Sequence, residues 1–184
     1  NRLRNKLYSQ YSVEESVSIR GVKNVFMRET GISAMDCPEP RDIFHIAQGE
    51  KQGNRDAAIK AFHEMAEVAG SALADAVSLI DGLVVIGGGL SGAHPVFLQH
   101  LVDEMNNSFK TPSGELLDRM EIKAYNLENP EELEKFLNGD VREITVPFTD
   151  KKISYDPVKR IGVGVSRLGT AEAVSIGAYA YAIH

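Results

Sequence analysis

Hydrophobic side chains recur at helical spacing through the first half of the chain and predict three helices there. The first spans residues 14–30 and ends at Gly31, which suits a helix C-cap. The second begins near Pro40 and ends near Gly49, and a long third helix begins after Asn54. The side chains predicted to face the core are Val17, Val22, Val25 and Phe26 in the first helix, and Phe62, Met65, Ala66, Ala69, Leu73, Ala76 and Ile80 in the long one.

The second half of the chain alternates strands with helices. A turn at Asp81-Gly82 leads into the strand LVVI, and Ser91 is expected to cap a helix over residues 92–106 that turns Val96, Phe97, Leu101 and Met105 inward. The remaining predicted elements are a loop over 111–115, a strand over 120–125, a helix over 129–139, a hairpin over 142–155 turning at Thr149-Asp150, a glycine-broken strand or loop over 162–170, and a final helix over 171–184. This order predicts an α/β fold with at least some parallel pairing.

Composition narrows the class of protein. Of the 184 residues, 43% are hydrophobic and 25% charged, as in ordinary globular proteins. Neither an apolar run of roughly 20 residues nor a signal-peptide pattern occurs, so we expect a cytoplasmic protein without membrane contact. The net charge of −6 and the lack of a basic stripe argue against nucleic-acid binding. Cys37 is the single cysteine, which excludes a disulfide within the chain and a thiolate zinc cage.

The chain opens with NRLRNKLYSQ, without an initiator methionine. We therefore expect it to be a piece of a longer protein, although a removed start would give the same appearance.

The segment LVVIGGGLSGAHP carries glycines at the spacing G-x-G-x-x-G, at Gly87, Gly89 and Gly92. A dinucleotide-binding fingerprint also needs an acidic residue about 20 residues later, in the first strand–helix–strand unit of its fold. Here that distance falls in the loop NSFKTPS, and Glu128 comes too late. Glycines after a strand still allow close backbone approach to a ligand, beside the free N–H groups of a helix start. The alternative is a tight strand-to-helix connection without a ligand.

Two longer stretches carry a resemblance to a known family. AAIKAFHEMAEVAGSALADAVSLIDGLVVIGGGLS and the ending GVGVSRLGTAEAVSIGAYAYA are similar to the helix–strand–glycine block and the terminal helix of the ROK family of bacterial sugar kinases and repressors. The resemblance covers residues 14–105 and 161–184. Residues 127–160, with the hairpin, look like an insertion.

The resemblance implies the C-terminal lobe of an actin-like ATPase (ribonuclease H-like) fold, with residues 1–184 forming one lobe. By this resemblance Gly87, Gly88, Gly89 and Ser91 bind adenosine. The family's catalytic aspartate lies upstream of the matched region, so no catalytic residue is expected in this chain. The parent protein would be a glucokinase-like enzyme that phosphorylates a hexose with ATP and Mg²⁺. The alternatives are the sugar-sensing lobe of a ROK transcriptional repressor and a non-catalytic structural lobe.

Family members also carry the pattern C-x-C-G-x-x-G-C-x-E, with a serine four residues after the glutamate, which forms a zinc site next to the sugar. Matching Glu14 and Ser18 to that pattern places Asn5, Leu7 and Ser12 where cysteines stand, so no zinc is expected. The resemblance implies that Glu14 binds the sugar, since a carboxylate accepts hydrogen bonds from two hydroxyls at once. Glu15 is the alternative in register, and both acids could simply favour a helix N-terminus.

Other chemistry-bearing residues give weaker signals. His63 begins HEMAE but lacks the second histidine of a zinc-protease helix, and Glu64 and Glu67 suit a solvated face. His94 lies beside the glycines, whereas neither His45 nor His100 has another candidate site residue at a recognisable spacing along the sequence. Cys37 precedes Pro38 without an evident base, so no nucleophile is predicted.

The final helix is apolar on all sides, which predicts that more than one of its faces is covered by other structure. In the family this helix crosses towards the N-terminal lobe. We therefore expect part of its surface to be bare in this chain, or covered by a second copy in a homodimer.

Overall fold

The computed structural model describes residues 2–183 and shows a mixed α/β fold, as the sequence predicts. The helices are α1 (Val13–Ser16), α2 (Ile19–Thr30), α3 (Pro40–Gln48), α4 (Arg55–Val77), α5 (His94–Met105), α6 (Pro130–Asn138) and α7 (Thr170–Ile183). The strands are β1 (Val84–Ile86), β2 (Ser108–Lys110), β3 (Leu116–Asp118), β4 (Lys123–Asn126), β5 (Arg142–Thr145), β6 (Lys152–Tyr155) and β7 (Arg160–Val165).

Three strands form a parallel sheet in the order β1-β7-β4. Val84 pairs with Val163 on one side of β7, and Ala124 pairs with Ile161 on the other. The segment over 162–170, which the sequence leaves open as a glycine-broken strand or loop, is thus divided: residues 162–165 belong to the central strand and residues 166–169 form the loop before α7. Gly162 lets the Leu127 side chain pack directly on this strand, because a Cβ at position 162 would lie 2.6 Å from it.

The core lies between the long helix α4 and helices α2, α3 and α5. Gly70 lets α4 and α5 approach closely, because a Cβ at this position would lie 2.5 Å from the Leu101 carbonyl oxygen. The Asn106 side chain at the end of α5 donates to and accepts from the Ala124 backbone, at 2.9 and 2.8 Å. These contacts join the helical layer to the β4 edge of the sheet.

The predicted first helix is divided in the structure. Ser18 accepts a hydrogen bond from the Gly21 N–H at 3.1 Å and so caps α2, which separates it from the short α1. Val17 lies in the break and is exposed, so its predicted place in the core is wrong. The break fits the close contact between the two helices, since a Cβ on Gly21 would collide with the Ser16 carbonyl.

The long helix ends earlier than the sequence pattern suggests. It stops at Val77, and Ile80, which the pattern places in the core, is 70% exposed. The predicted loop over 111–115 connects strands β2 and β3, which sequence reasoning missed. The hairpin over 142–155 is present as β5 and β6, with Ile144 paired to Ile153. That residues 127–160 are an insertion stays a prediction.

Helix α7 stands apart from the core. All its residues are exposed, including Tyr179 at 74% and Tyr181 at 88%. Within residues 2–183 of this single chain no face of α7 is covered, and its cover by a second copy in a homodimer stays a prediction.

Candidate functional site

The glycine turn, residues 87–91, follows β1 at the edge of the sheet. Gly88 has a φ of +93°, a backbone conformation that glycine adopts far more readily than other residues. The Ser91 N–H and hydroxyl both donate to the Gly88 carbonyl, at 3.1 and 2.7 Å, and close the turn. A Cβ on Gly89 would meet no heavy atom within 4 Å. The backbone there is therefore open to a ligand.

One detail of this turn differs from the prediction. Ser91 does not cap a helix; residues 91–93 form a 3-10 turn, and α5 begins at His94 after Ala93, which has no capping side chain. The strand before the glycines is only partly buried, since Val85 is 65% exposed. Ser91 holds the turn closed because its hydroxyl is oriented back to Gly88 rather than towards α5.

A cavity of about 340 Å³ opens between the glycine turn and α3. Its lining comprises Pro40, Arg41, Phe44 and His45 from α3 and Gly89, Leu90, Gly92 and Ala93 from the turn and the start of α5. Phe44 contributes a flat aromatic surface, and Arg41 is an exposed cation at the rim. This volume lies within the usual range of small-molecule pockets, about 300–1,000 Å³. The cavity combines an apolar wall, open backbone and a positive charge.

Sequence reasoning missed the α3 side of this cavity. Phe44 lies more than 40 residues before the glycines, and its helical pattern indicates only a buried face. The structure adds a polar contact at the rim, with His45 Nδ1 2.7 Å from Glu50 Oε2. This contact orients the imidazole beside Phe44.

The loop after β7 lies next to the glycine turn. The Ser166 N–H donates to the Ile86 carbonyl at 2.8 Å, which places both loops at the carboxyl ends of parallel strands. Glu128 accepts from the Val165 N–H at 3.0 Å and from Arg167 at 2.7 Å. Ligands of open α/β sheets bind at this edge. Glu128 therefore organises the loop that borders the glycine turn.

Glu14 and Glu15 differ in their surroundings. Glu15 pairs with Arg20 at 2.7 Å. Glu14 is exposed on α1, and no side chain within residues 2–183 bonds its carboxylate. Of the two acids, Glu14 is therefore the one whose oxygens are available to a ligand.

Asn5 organises the turn that precedes Glu14. Its side-chain oxygen accepts from the N–H groups of Leu7 and Tyr8 at 3.0 and 3.1 Å. Its side-chain nitrogen donates to the Ser16 hydroxyl at 2.8 Å and, at a longer 3.4 Å, to the Ser12 carbonyl. This turn is thus closed by one buried amide.

The remaining candidate residues have structural surroundings. His63 and His100 stack on each other between α4 and α5, so the two histidines are neighbours in the fold although their spacing along the sequence does not show it. Glu64 is not simply solvated, because it bonds both Tyr8 and Arg28. Cys37 is buried and burial raises the pKa of its thiol, which disfavours a nucleophilic role.

Glu67 is likewise paired, with Lys6 at 2.9 Å. His94 lies at the first turn of α5, with Nδ1 3.2 Å from the Ser91 carbonyl oxygen. Within residues 2–183, no three His, Cys, Asp or Glu side chains are grouped so that they could hold a metal ion. None of the helices in this described range is long and apolar enough to cross a membrane.

Comparison with solved structures gives two similar proteins. A glucokinase from Parabacteroides distasonis is 46% identical over 99% of this chain and 48% of its own, with a TM-score of 0.85. A candidate sugar kinase from Cytophaga hutchinsonii is 16% identical over 100% of this chain and 47% of its own, with a TM-score of 0.58. No family model and no curated protein matches the sequence.

The likeness to the glucokinase confirms the predicted resemblance to sugar kinases. The second likeness, at its low identity, supports the fold alone. The chain spans about half the length of each of these two proteins, 48% and 47%.

Proposed function

We propose that this glucokinase-like chain is the C-terminal lobe of an actin-like, ROK-family kinase that phosphorylates a hexose with ATP and Mg²⁺ in the cytoplasm. The observation that carries the proposal is the 46% identity to a glucokinase over nearly the whole chain. The chain would supply half of the nucleotide site and part of the sugar site. The base that activates the sugar hydroxyl would come from the rest of the protein, so this chain alone should be inactive.

The glycine turn and the α3 cavity form the proposed adenosine site. The backbone at Gly88 and Gly89 is open, and at Gly87 a Cβ would meet only Ser166 at 3.8 Å, so the nucleoside could approach these glycines closely. The Ser91 hydroxyl would hold the turn in that shape. The adenine ring of the nucleotide would lie against Phe44, and Arg41 would lie near the negative charge of the nucleotide. The Mg²⁺ of the proposed reaction would bind the ATP phosphates, as is usual for this ion, together with one or two carboxylates of the whole protein.

Glu14 is the proposed sugar ligand of this chain. Its carboxylate is exposed and unpaired by side chains of the described residues, unlike that of Glu15. A carboxylate can accept hydrogen bonds from two neighbouring sugar hydroxyls, which fixes the orientation of the ring. Correct orientation of the reacting hydroxyl is a large part of phosphoryl-transfer catalysis.

A coupled phosphorylation assay of the full-length protein, with ATP, Mg²⁺ and a panel of hexoses, tests this function. We expect turnover with at least one hexose and none with the 184-residue chain alone. Sugar binding in calorimetry without phosphorylation of any hexose would instead indicate the sugar-sensing lobe of a repressor. If the full-length protein shows no sugar binding and no turnover, both the kinase and the sugar-sensing roles are contradicted, and a structural role remains.

A further inference from the structure

Asn5 is the most deeply buried of the polar side chains within residues 2–183, with 1% of its surface exposed. A buried amide costs free energy unless its hydrogen bonds are satisfied. Asn5 makes two bonds through its oxygen and two through its nitrogen, so both ends of the amide are used. The buried position is thereby compensated.

The two ends of this amide bind different parts of the chain. The oxygen holds the tight turn at Leu7 and Tyr8, immediately after Asn5. The nitrogen reaches forward to Ser12 and Ser16, which lie two residues on either side of Glu14. The backbone adds a bond from the Asn5 N–H to the Tyr11 carbonyl at 3.0 Å. The Asn5 side chain therefore links α1 to the segment before it, beside the backbone bridge between Arg4 and Ser12.

The other contacts of α1 are made by its backbone and by packing: the Val13 N–H donates to the Leu3 carbonyl at 3.0 Å, and the helix lies against α2 and α4. It has four residues, none of them buried, and Ser12 provides no side-chain cap. A helix of this length is not stable by itself. The Asn5 bonds to Ser12 and Ser16 lie on both sides of Glu14 and so contribute side-chain bonds that set its position.

We propose that Asn5 is a positioning residue that places the Glu14 carboxylate for sugar binding. This rests on the proposed function, in which Glu14 contacts the sugar. Asn5 itself is buried and would not touch the sugar. Its carboxamide suits the task because it combines an acceptor for the turn with a donor for α1, which neither aspartate nor alanine provides.

The test measures D-glucose and ATP affinity of the full-length protein by calorimetry, with Asn5→Asp as the main variant. Aspartate keeps the shape and the acceptor oxygen but removes both donated bonds. We expect glucose affinity to fall about tenfold, the effect of losing roughly one good hydrogen bond, with ATP affinity unchanged. Asn24→Asp, an exposed change on the neighbouring α2, serves as the matched control and should alter neither affinity.

A double variant separates positioning from general structural damage. If Asn5 acts through Glu14, adding Asn5→Asp to Glu14→Gln should weaken glucose binding no further. Fully additive losses, or unchanged glucose affinity in a folded Asn5→Asp protein whose Glu14→Gln counterpart is impaired, would overturn the role of Asn5 alone. Unchanged affinity in Glu14→Gln would instead overturn the sugar contact of Glu14 in the proposed function, and the role of Asn5 with it.

Ser16→Ala provides a second route if Asn5→Asp does not fold. It removes the acceptor of the 2.8 Å bond and leaves the turn at Leu7 and Tyr8 intact. We expect a smaller loss of glucose affinity, about threefold, again without a change for ATP. Equal glucose affinity in folded Ser16→Ala and wild-type protein would then overturn the positioning role.

Discussion

The imidazole rings of His63 and His100 stack face to face, with centroids 4.3 Å apart and planes inclined by 7°. Both rings are half-buried and join α4 to α5. Tyr8, Lys60, Glu64 and Glu67 line the same hollow, so both cations and acids lie near the pair. Burial, and then the neighbouring His100, lower the pKa of His63. The neutral form is thus favoured in the folded protein.

This contact predicts a loss of stability in mild acid. Since the folded pKa of His63 lies below its ordinary value of 6.5, the unfolded chain binds the proton more readily. The contribution of neutral His63 to the free energy of unfolding is therefore complete above pH 6.5 and is lost as the pH falls through the lowered pKa. His63→Gln should make the free energy of unfolding fall less steeply below pH 6.5 in urea titrations. Equal slopes in wild type and His63→Gln would contradict the prediction.

Substitution in the glycine turn should weaken nucleotide binding. Gly89→Val places a side chain in open space without a positive φ, so we expect a folded full-length protein with about tenfold lower ATP affinity. Gly88→Val should weaken ATP binding as well. It should also cost about 1–2 kcal/mol of stability, because its φ is +93°. Calorimetry checks affinity and urea unfolding checks stability. Gly82→Val, which also meets open space, is the control; equal ATP affinity in Gly89→Val would remove the adenosine assignment.

The two acids of α1 should behave differently in kinetics. Glu14→Gln should raise the KM for the sugar about tenfold or more and leave the KM for ATP nearly unchanged, because a charged acceptor is lost at the sugar alone. Glu15→Gln is matched in chemistry and removes only the ion pair with Arg20. It should leave both constants near wild type. A selective ATP defect in Glu14→Gln would contradict the sugar assignment.

We expect no zinc in the purified protein. The positions that carry cysteines in the related pattern are Asn5, Leu7 and Ser12, and no thiolate cage can be built around one cysteine. Elemental analysis should therefore find zinc well below one atom per chain, and a chelator should leave the melting temperature unchanged. Stoichiometric zinc would overturn both the expectation and the matching of Glu14 to the pattern.

The bare helix α7 should cause association of the 184-residue chain. Val174 and Tyr181 are 66% and 88% exposed and lie seven residues apart, on one face of the helix. Light scattering over a concentration series should show dimers or larger species, and the double change to glutamate should shift them towards monomers. Leu116→Glu, at another exposed apolar position, is the control. Wild-type chains that stay monomeric at high concentration would contradict the prediction.

The sequence by itself determined the elements whose pattern is local. Phe62 and Met65 repeat at helical spacing and are buried in α4, and the caps at Gly31 and Gly49 end α2 and α3. The glycine turn and the sugar-kinase resemblance were also recognisable, because they depend on the order of residues along one stretch. A local pattern fixes which face of an element is apolar.

Only the tertiary structure decided which of these faces meet. Phe44 reaches the glycine turn, β7 lies in the middle of the sheet, and Ser16 receives a bond from Asn5, all through contacts between distant parts of the chain. Val17 fits a helical pattern but is exposed where Ser18 caps the next helix. The physical reason is that packing and hydrogen bonding select among locally equivalent conformations, and the partners that make this selection are not adjacent in sequence.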